Sequence, residues 1–153
     1  MEHELDLSGL LQQYSSLKKE VKDYALRVNA SKKRIAELES GYEAEDTVSG
    51  GLGGKQHYKV RGFPHPLYKR EKTMLLNRQL AYEKRKEELE EQLMRVEAAI
   101  DDINDSRMRQ ILKYRYIDGL SWATVSRKIG GTPDALRMET KRFFQNQKKI
   151  EKK

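Results

Sequence analysis

The chain has 153 residues, of which 36% are charged and 37% hydrophobic, and it carries a net charge of +7 at pH 7. This length allows one ordinary domain, or a small domain beside an extended element, and the three Phe and one Trp disfavour one large core. No apolar run approaches the roughly 18 residues of a membrane span, and no secretory signal opens the sequence, so no membrane contact is expected. The absence of cysteine excludes disulfides, thiolate catalysis and cysteine–zinc sites.

The excess positive charge lies in the last third of the chain. Residues 106–153 contain 13 Lys or Arg and four Asp or Glu, whereas the first 105 residues contain 18 basic and 20 acidic side chains. The C-terminal segment therefore carries +9 and the rest of the chain −2. This asymmetry is typical of a nucleic-acid-binding region.

Residues 7–42 carry apolar side chains at alternating steps of three and four, which predicts a long helix with a heptad stripe. The stripe is narrow and its flanks are charged, so the helix needs a partner helix. One stripe position, Ser31, is polar and either fixes the pairing register or is tolerated. The stripe positions are Leu7, Leu10, Tyr14, Leu17, Val21, Tyr24, Val28, Ser31, Ile35, Leu38 and Tyr42.

Residues 43–66 interrupt the helical pattern with five glycines and two prolines. Glycine frees the backbone and proline cannot continue a helix, so we predict a long connection at the tip of a helical hairpin. Within this connection, residues 56–61 alternate weakly and are compatible with a short extended piece.

A second heptad stripe in residues 68–103 predicts another long helix. Its first half is diluted by polar residues, and there Leu76 and Leu80 are expected to widen the stripe. The diluting residues are Lys72, Gln79 and Lys86. Two long amphipathic helices joined by a loop favour an antiparallel hairpin, and pairing between two chains is the alternative.

Three short helices are predicted after residue 104, each with an N-cap side chain that can accept a backbone N–H. They are expected at about Arg107–Ile117, Trp122–Lys128 and Pro133–Phe144, with the N-caps Asp105 or Ser106, Ser121 and Thr132. The basic tail from Gln145 onward is expected to fray. The predicted fold is thus all-α: a long antiparallel helical hairpin (coiled coil) in residues 1–104, a three-helix helix-turn-helix domain in 105–146, and a tail in 147–153.

The second and third short helices, separated by Ile129-Gly130-Gly131, follow the plan of a helix-turn-helix. Inward positions of the three short helices are expected to form one small core. Trp122 is assigned to this core rather than to stacking on a nucleic-acid base. The expected core residues are Ile111, Leu112, Tyr116, Trp122, Val125, Ile129, Leu136, Thr140 and Phe143.

In a helix-turn-helix the N-terminal half of the last helix enters the major groove of DNA. Arg137 is the favoured base-reading residue, because arginine bonds guanine in bidentate fashion. Asp134 either accepts from a cytosine amine or favours the helix dipole. Phosphate contacts are expected from Arg127, Lys128, Lys141 and Arg142. The predicted DNA-binding residues are Arg127, Lys128, Thr132, Asp134, Ala135, Arg137, Met138, Lys141 and Arg142.

The sequence Tyr-Arg-Tyr-Ile-Asp-Gly-Leu-Ser-Trp at residues 114–122, followed by Val125 and Ile129-Gly130, resembles the region-four helix-turn-helix of bacterial sigma factors. Ser126 stands where such modules usually have alanine, and serine is small enough to fit. The whole chain is similar to late-gene transcriptional regulators of the ArpU/RinA type, from phages and prophages, which carry this module behind a coiled coil. Further matching segments are 50–57, 105–109 and 142–144.

This resemblance implies a DNA-binding regulator of phage late genes, without catalytic activity and without a cofactor, that acts on DNA in the bacterial cytoplasm. Its expected partners are double-stranded DNA, host RNA polymerase and a second copy of the chain through the coiled coil. Two alternatives remain open. One is a small terminase subunit that recognises packaging DNA, and the other is a coiled-coil adaptor that contacts RNA polymerase without binding DNA.

Other chemical signals in the sequence are weak. The pair Gly54-Lys55 lacks the glycine at 49 and the Ser or Thr at 56 that a phosphate-binding loop needs. The three histidines do not share a helical face, so no metal site is predicted. The aspartates at 101, 102 and 105 have no basic or nucleophilic residues grouped around them, and capping explains them better than catalysis.

Overall fold

A computed structural model describes the backbone of residues 6–49 and 65–151, and the side chains of residues 6–40 and 65–150. Within these ranges the regular elements are all helical, which confirms the predicted all-α class. The elements are α1 (Leu7–Ser49), α2 (His65–Asp101), α3 (Ser106–Leu112), a π-helical turn (Lys113–Ile117), α4 (Trp122–Ile129) and α5 (Pro133–Glu151). None of the helices in the described ranges has the length and apolar character needed to cross a bilayer.

The two long helices extend further than the sequence pattern predicted. Helix α1 continues through residues 43–49, which were expected to belong to the connection. Helix α2 begins at His65, with Pro66 in its first turn, where the missing N–H of proline costs no helical hydrogen bond. The extended piece expected at residues 56–61 lies outside the described residues.

Contacts divide the chain into two compact units, one formed by Met1–Lys19 with Glu87–Lys153 and the other by Glu20–Lys86. The first unit therefore brings together the start of α1, the end of α2 and all of the shorter helices. The boundary after residue 104 that the sequence suggested stays a prediction.

In the unit Glu20–Lys86, the stripe of α1 faces α2. Val21, Val28, Ser31 and Ile35 are all buried, as predicted. Contacts between the two helices pair rising residue numbers on α1 with falling numbers on α2. These contacts are Glu20 with Arg85 (3.5 Å), the Arg27 carbonyl with Arg78 (3.3 Å), Arg34 with Glu71 (3.7 Å) and Glu39 with Tyr68 (2.7 Å).

Leucine does not widen the apolar stripe of α2 in this unit as the sequence pattern predicted. Leu76 and Leu80 are 56% and 61% exposed, so that expectation is wrong. Two inward positions are polar: Glu71 is 7% exposed, and the half-buried Arg78 donates from its guanidinium to the hydroxyl of the fully buried Ser31. Because a buried polar group is costly without its partner, this pair favours one register of α1 against α2.

The other unit contains two apolar clusters. The larger cluster joins α1, α2 and α3, with aromatic residues of the π-helical turn and of α5 packed against it. Its buried members are Leu11, Tyr14, Val96, Ile100, Ile103, Met108 and Leu112. The smaller cluster is formed by Ile111, Val125 and Leu136, with Tyr114, Leu120, Trp122 and Ile129 packed around them.

The single three-helix core expected from the sequence is therefore divided. Leu112, Tyr116 and Phe143 join the larger cluster, while Ile111 belongs to the smaller one. Adjacent residues of a helix point about 100° apart, so α3 can bury Ile111 on one side and Leu112 on the other.

Hydrogen bonds and ion pairs hold the short helices to the long ones within this unit. The Lys18 ammonium donates to the carbonyl of Ile117 at 2.5 Å, at the end of the π-helical turn. The Lys113 ammonium lies 2.9 Å from Asp101, the last residue of α2. The predicted cap of α3 is confirmed, because the Asp105 carboxylate accepts from two backbone N–H groups.

The pKa values of two tyrosines in the larger cluster are raised. Burial raises the pKa of the Tyr14 hydroxyl, and the nearby carboxylates of Glu97 and Asp118 raise it further. Burial also raises the pKa of Tyr116, and the neighbouring Arg115 opposes this shift in part. Both hydroxyls are therefore held in the neutral form more firmly than in the unfolded chain.

Candidate nucleic-acid interface

Helix α4 begins at the predicted cap. The Ser121 hydroxyl accepts a hydrogen bond from the Thr124 N–H at 3.2 Å, which satisfies one free donor of the first turn. Val125 is fully buried against α3 and α5, and Trp122 packs half-buried beside it. The Arg115 guanidinium lies 5.1 Å from the centre of the Trp122 ring. Trp122 is thus part of the apolar packing, as predicted.

The turn after α4 requires glycine. The Gly130 N–H donates to the Ser126 carbonyl at 2.7 Å, and both Gly130 and Gly131 have positive φ, +99° and +90°. Side chains rarely tolerate this region, so the Gly-Gly pair fixes the angle at which the next helix leaves. The Ser126 hydroxyl donates to the Ala123 carbonyl at 2.7 Å, so this hydroxyl has a partner within the helix.

Helix α5 starts immediately after the turn, with its predicted cap in place. The Thr132 hydroxyl accepts from the Ala135 N–H at 3.1 Å. The inner face of the helix is fixed by Leu136 and Thr140, which are 0% and 3% exposed. Arg107 of α3 reaches Glu139 at 3.2 Å and holds the side of the helix. The first two turns of α5 are therefore set in position by apolar packing, a cap and an ion pair.

All nine side chains predicted to touch DNA are exposed. They lie on the last turn of α4, at the cap of α5 and on the first three turns of α5. They are Arg127, Lys128, Thr132, Asp134, Ala135, Arg137, Met138, Lys141 and Arg142. Their exposure leaves them available to a partner, while their DNA-binding role stays a prediction.

The cations of this surface differ in how they are held. The Arg137 guanidinium lies 3.3 Å from the Asp134 carboxylate, and their side chains are 59% and 90% exposed. Such an exposed pair is worth about 0–1 kcal/mol, so a stronger acceptor can displace it. The Lys128 ammonium lies 5.3 Å from the centre of the Tyr114 ring. In the part of the chain that the structure describes, Arg127, Lys141 and Arg142 form no ion pair.

Sequence reasoning missed the full length of α5. Helix α5 runs to Glu151, so the prediction that the chain frays after residue 144 is wrong for residues 145–151. Gln145, Lys148 and Lys149 are exposed on this extension, and the Lys148 ammonium lies 3.9 Å from the Asp6 carboxylate. The only sequence signal for the longer helix was the absence of glycine and proline after Pro133.

No protein-family model, no curated protein and no solved structure matches this chain. The interpretation of the surface therefore depends on its own geometry and charge.

Proposed function

We propose that the chain is a sequence-specific regulator of transcription that binds double-stranded DNA. In this proposal α4, the Gly130-Gly131 turn and α5 form a helix-turn-helix, and the first half of α5 enters the major groove. The observation that carries the proposal is the division of α5 into two faces: Leu136 and Thr140 anchor one of them in the core, and the other is exposed and carries a net positive charge.

The architecture proposed for the whole chain is an antiparallel helical hairpin followed by this helix-turn-helix. The reversed order of the contacts between α1 and α2, from Glu20–Arg85 to Glu39–Tyr68, supports the hairpin. The positive-φ turn and the capped start of α5 support the helix-turn-helix. In this scheme the hairpin provides contacts to RNA polymerase or to a second copy of the chain.

Charge favours DNA as the partner of α5. A protein that neutralises phosphates releases condensed counterions from the duplex, and this release supplies much of the affinity. Lys141, Arg142 and Arg127 can bind phosphates without breaking an ion pair within the described residues. To bind DNA, Arg137 would give up only its exposed ion pair with Asp134, and bidentate bonding to guanine would offset that loss.

The role in phage late-gene transcription rests on the resemblance to regulators with a region-four-like module. We propose no catalytic activity, because the proposed contacts of α5 require only binding. The proposed location is on DNA in the cytoplasm of a bacterial host.

The primary test is selection of binding sites from a randomised duplex library, followed by fluorescence anisotropy on the selected and on a scrambled duplex. We expect Arg137→Ala to lose about 1–3 kcal/mol on the selected site and little on the scrambled one. We expect Lys141→Ala to weaken both duplexes alike and to lower the salt slope by about one unit. Arg70→Ala and Lys33→Ala remove exposed cations from the other unit and serve as matched controls.

The outcomes separate the competing functions. Equal losses on both duplexes for Arg137→Ala would remove its base-reading role. Absence of DNA binding by the intact protein would favour the adaptor hypothesis. Mapping the protein on the chromosome of a lysogen distinguishes the two DNA-binding functions. A peak upstream of late structural genes supports the transcription regulator. A peak at the packaging start, together with a ring-sized mass by light scattering, supports a small terminase subunit.

A further inference from the structure

The centre of the exposed face of α5 is apolar. Met138 lies two residues after Leu136 and two before Thr140, both of which are buried. At about 100° per residue, a step of two residues turns the helix by about 200°. Met138 therefore points about 160° away from Leu136 on one side and about 160° away from Thr140 on the other. It therefore projects more directly away from the core than Arg137, which is only about 60° from Thr140. Met138 is 46% exposed.

The surroundings of Met138 indicate what it can contact. Lys141 and Arg142 follow it by three and four residues, so they flank it on the next turn of the helix. Both are exposed and have no ion pair within the described residues. A polyanion held by these flanking cations would bring its own surface against Met138. Ala135, one turn earlier, adds a small exposed apolar side chain beside it.

The C5-methyl group of thymine is the only methyl group that the four bases present in the major groove. Guanine, cytosine and adenine present donors and acceptors there, whereas thymine presents an acceptor and its C5-methyl group. An unbranched thioether has no hydrogen atom to donate and adapts its shape to an apolar group. We infer that Met138 reads the C5-methyl group of a thymine in the recognised site, with Ala135 beside it. This assignment rests on the proposed function, and it adds a specificity-determining residue to the binding surface.

The test uses single replacements of thymine by uracil, which remove only the methyl group. Each thymine of the selected site is replaced in turn on each strand, and affinity for the full-length protein is measured by anisotropy. Burial of one such carbon is worth about fourfold in affinity, which corresponds to about 0.8 kcal/mol. We expect one or two positions to lose about fourfold and the others to stay unchanged.

Protein variants assign that sensitivity to a residue. Met138→Ala is expected to bind the thymine and uracil sites equally, whereas Met138→Leu, which keeps an apolar side chain, is expected to retain the difference. Met94→Ala removes another exposed methionine, 72% exposed and located on α2, and should behave like the wild type. Circular dichroism checks that each variant is folded, which is expected because Met138 lies outside the core.

The results that would overturn the inference differ from those that would overturn the proposed function. Failure to select any preferred sequence overturns both. A preferred site with a flat uracil scan, or with a uracil effect that persists in Met138→Ala, overturns the thymine contact and leaves DNA recognition standing. Loss of the effect in Met138→Ala but not in Met94→Ala supports the contact.

Discussion

Replacement of Gly130 should destabilise the protein through its backbone alone. Gly130 has φ +99° and ψ 166°, a region that is populated almost only by glycine. An added Cβ would meet no heavy atom within 4 Å, so steric contact contributes nothing to the loss. The expected cost of Gly130→Ala is therefore the conformational strain, about 1–3 kcal/mol.

Replacement of Gly130 by asparagine tests the same strain argument. Asn tolerates the left-handed helical region, where ψ is near +47°, but the ψ of Gly130 is far from that value. Gly130→Asn should therefore lose as much stability as Gly130→Ala. At Gly131 an added Cβ would lie 3.7 Å from the Arg107 guanidinium and 4.0 Å from Leu136, which are ordinary contacts, so strain again dominates.

Urea unfolding followed by circular dichroism at 222 nm measures these free energies, with Lys33→Ala as an exposed control. A loss below about 0.5 kcal/mol for Gly130→Ala would contradict the strain argument, because surface substitutions commonly fall in that range. Recovery of stability by asparagine would show that the turn adopts a left-handed helical conformation instead.

Three further predictions concern packing, the polar contact and alkaline pH. Leu136→Ala should cost about 2–5 kcal/mol of unfolding free energy, because the side chain is fully buried; thermal and urea unfolding would measure it, and a cost near zero would refute its core position. Arg78→Met should destabilise the wild type more than it destabilises Ser31→Ala, since the buried hydroxyl then loses its partner; a double-mutant cycle without coupling would contradict this. Because folding raises the pKa of Tyr14 and Tyr116, their contribution is complete below their unfolded pKa of about 10 and is lost as pH rises through the folded values. Tyr116→Phe should therefore lose less stability than the wild type as the pH rises above about 10, which urea midpoints measured at a series of alkaline pH values would reveal.

Periodicity predicted the helices well where the local signals were strong. Ser121 and Thr132 cap α4 and α5 as predicted, because each side chain accepts from a backbone N–H only three residues away. The buried stripe of α1 was also predictable, since charged residues flank it on both sides.

Packing between distant segments was not predictable from the sequence. The sequence could not show that Glu71 and Arg78 would take inward positions of α2, because their partners Arg34 and Ser31 lie 37 and 47 residues earlier in the chain. The division of the core also depends on tertiary contacts, since Phe143 has the same local pattern whichever cluster receives it. The exposed residues of α5 could be predicted from the capped start of the helix. The position of Met138 at the centre of that face became evident only when the structure showed that Leu136 and Thr140 are buried.

The larger apolar cluster also constrains the order in which the protein is made. Leu11 and Tyr14 are synthesised near the beginning of the chain, yet they pack with Val96 and Ile100 and lie in the same cluster as Phe143 and Phe144. At about 5–20 residues per second, a ribosome needs roughly 7–27 s to travel from Leu11 to Phe144. The unit Glu20–Lys86 is contiguous and can fold during this interval. The start of α1 therefore lacks its complete set of apolar partners until α5 has left the ribosome.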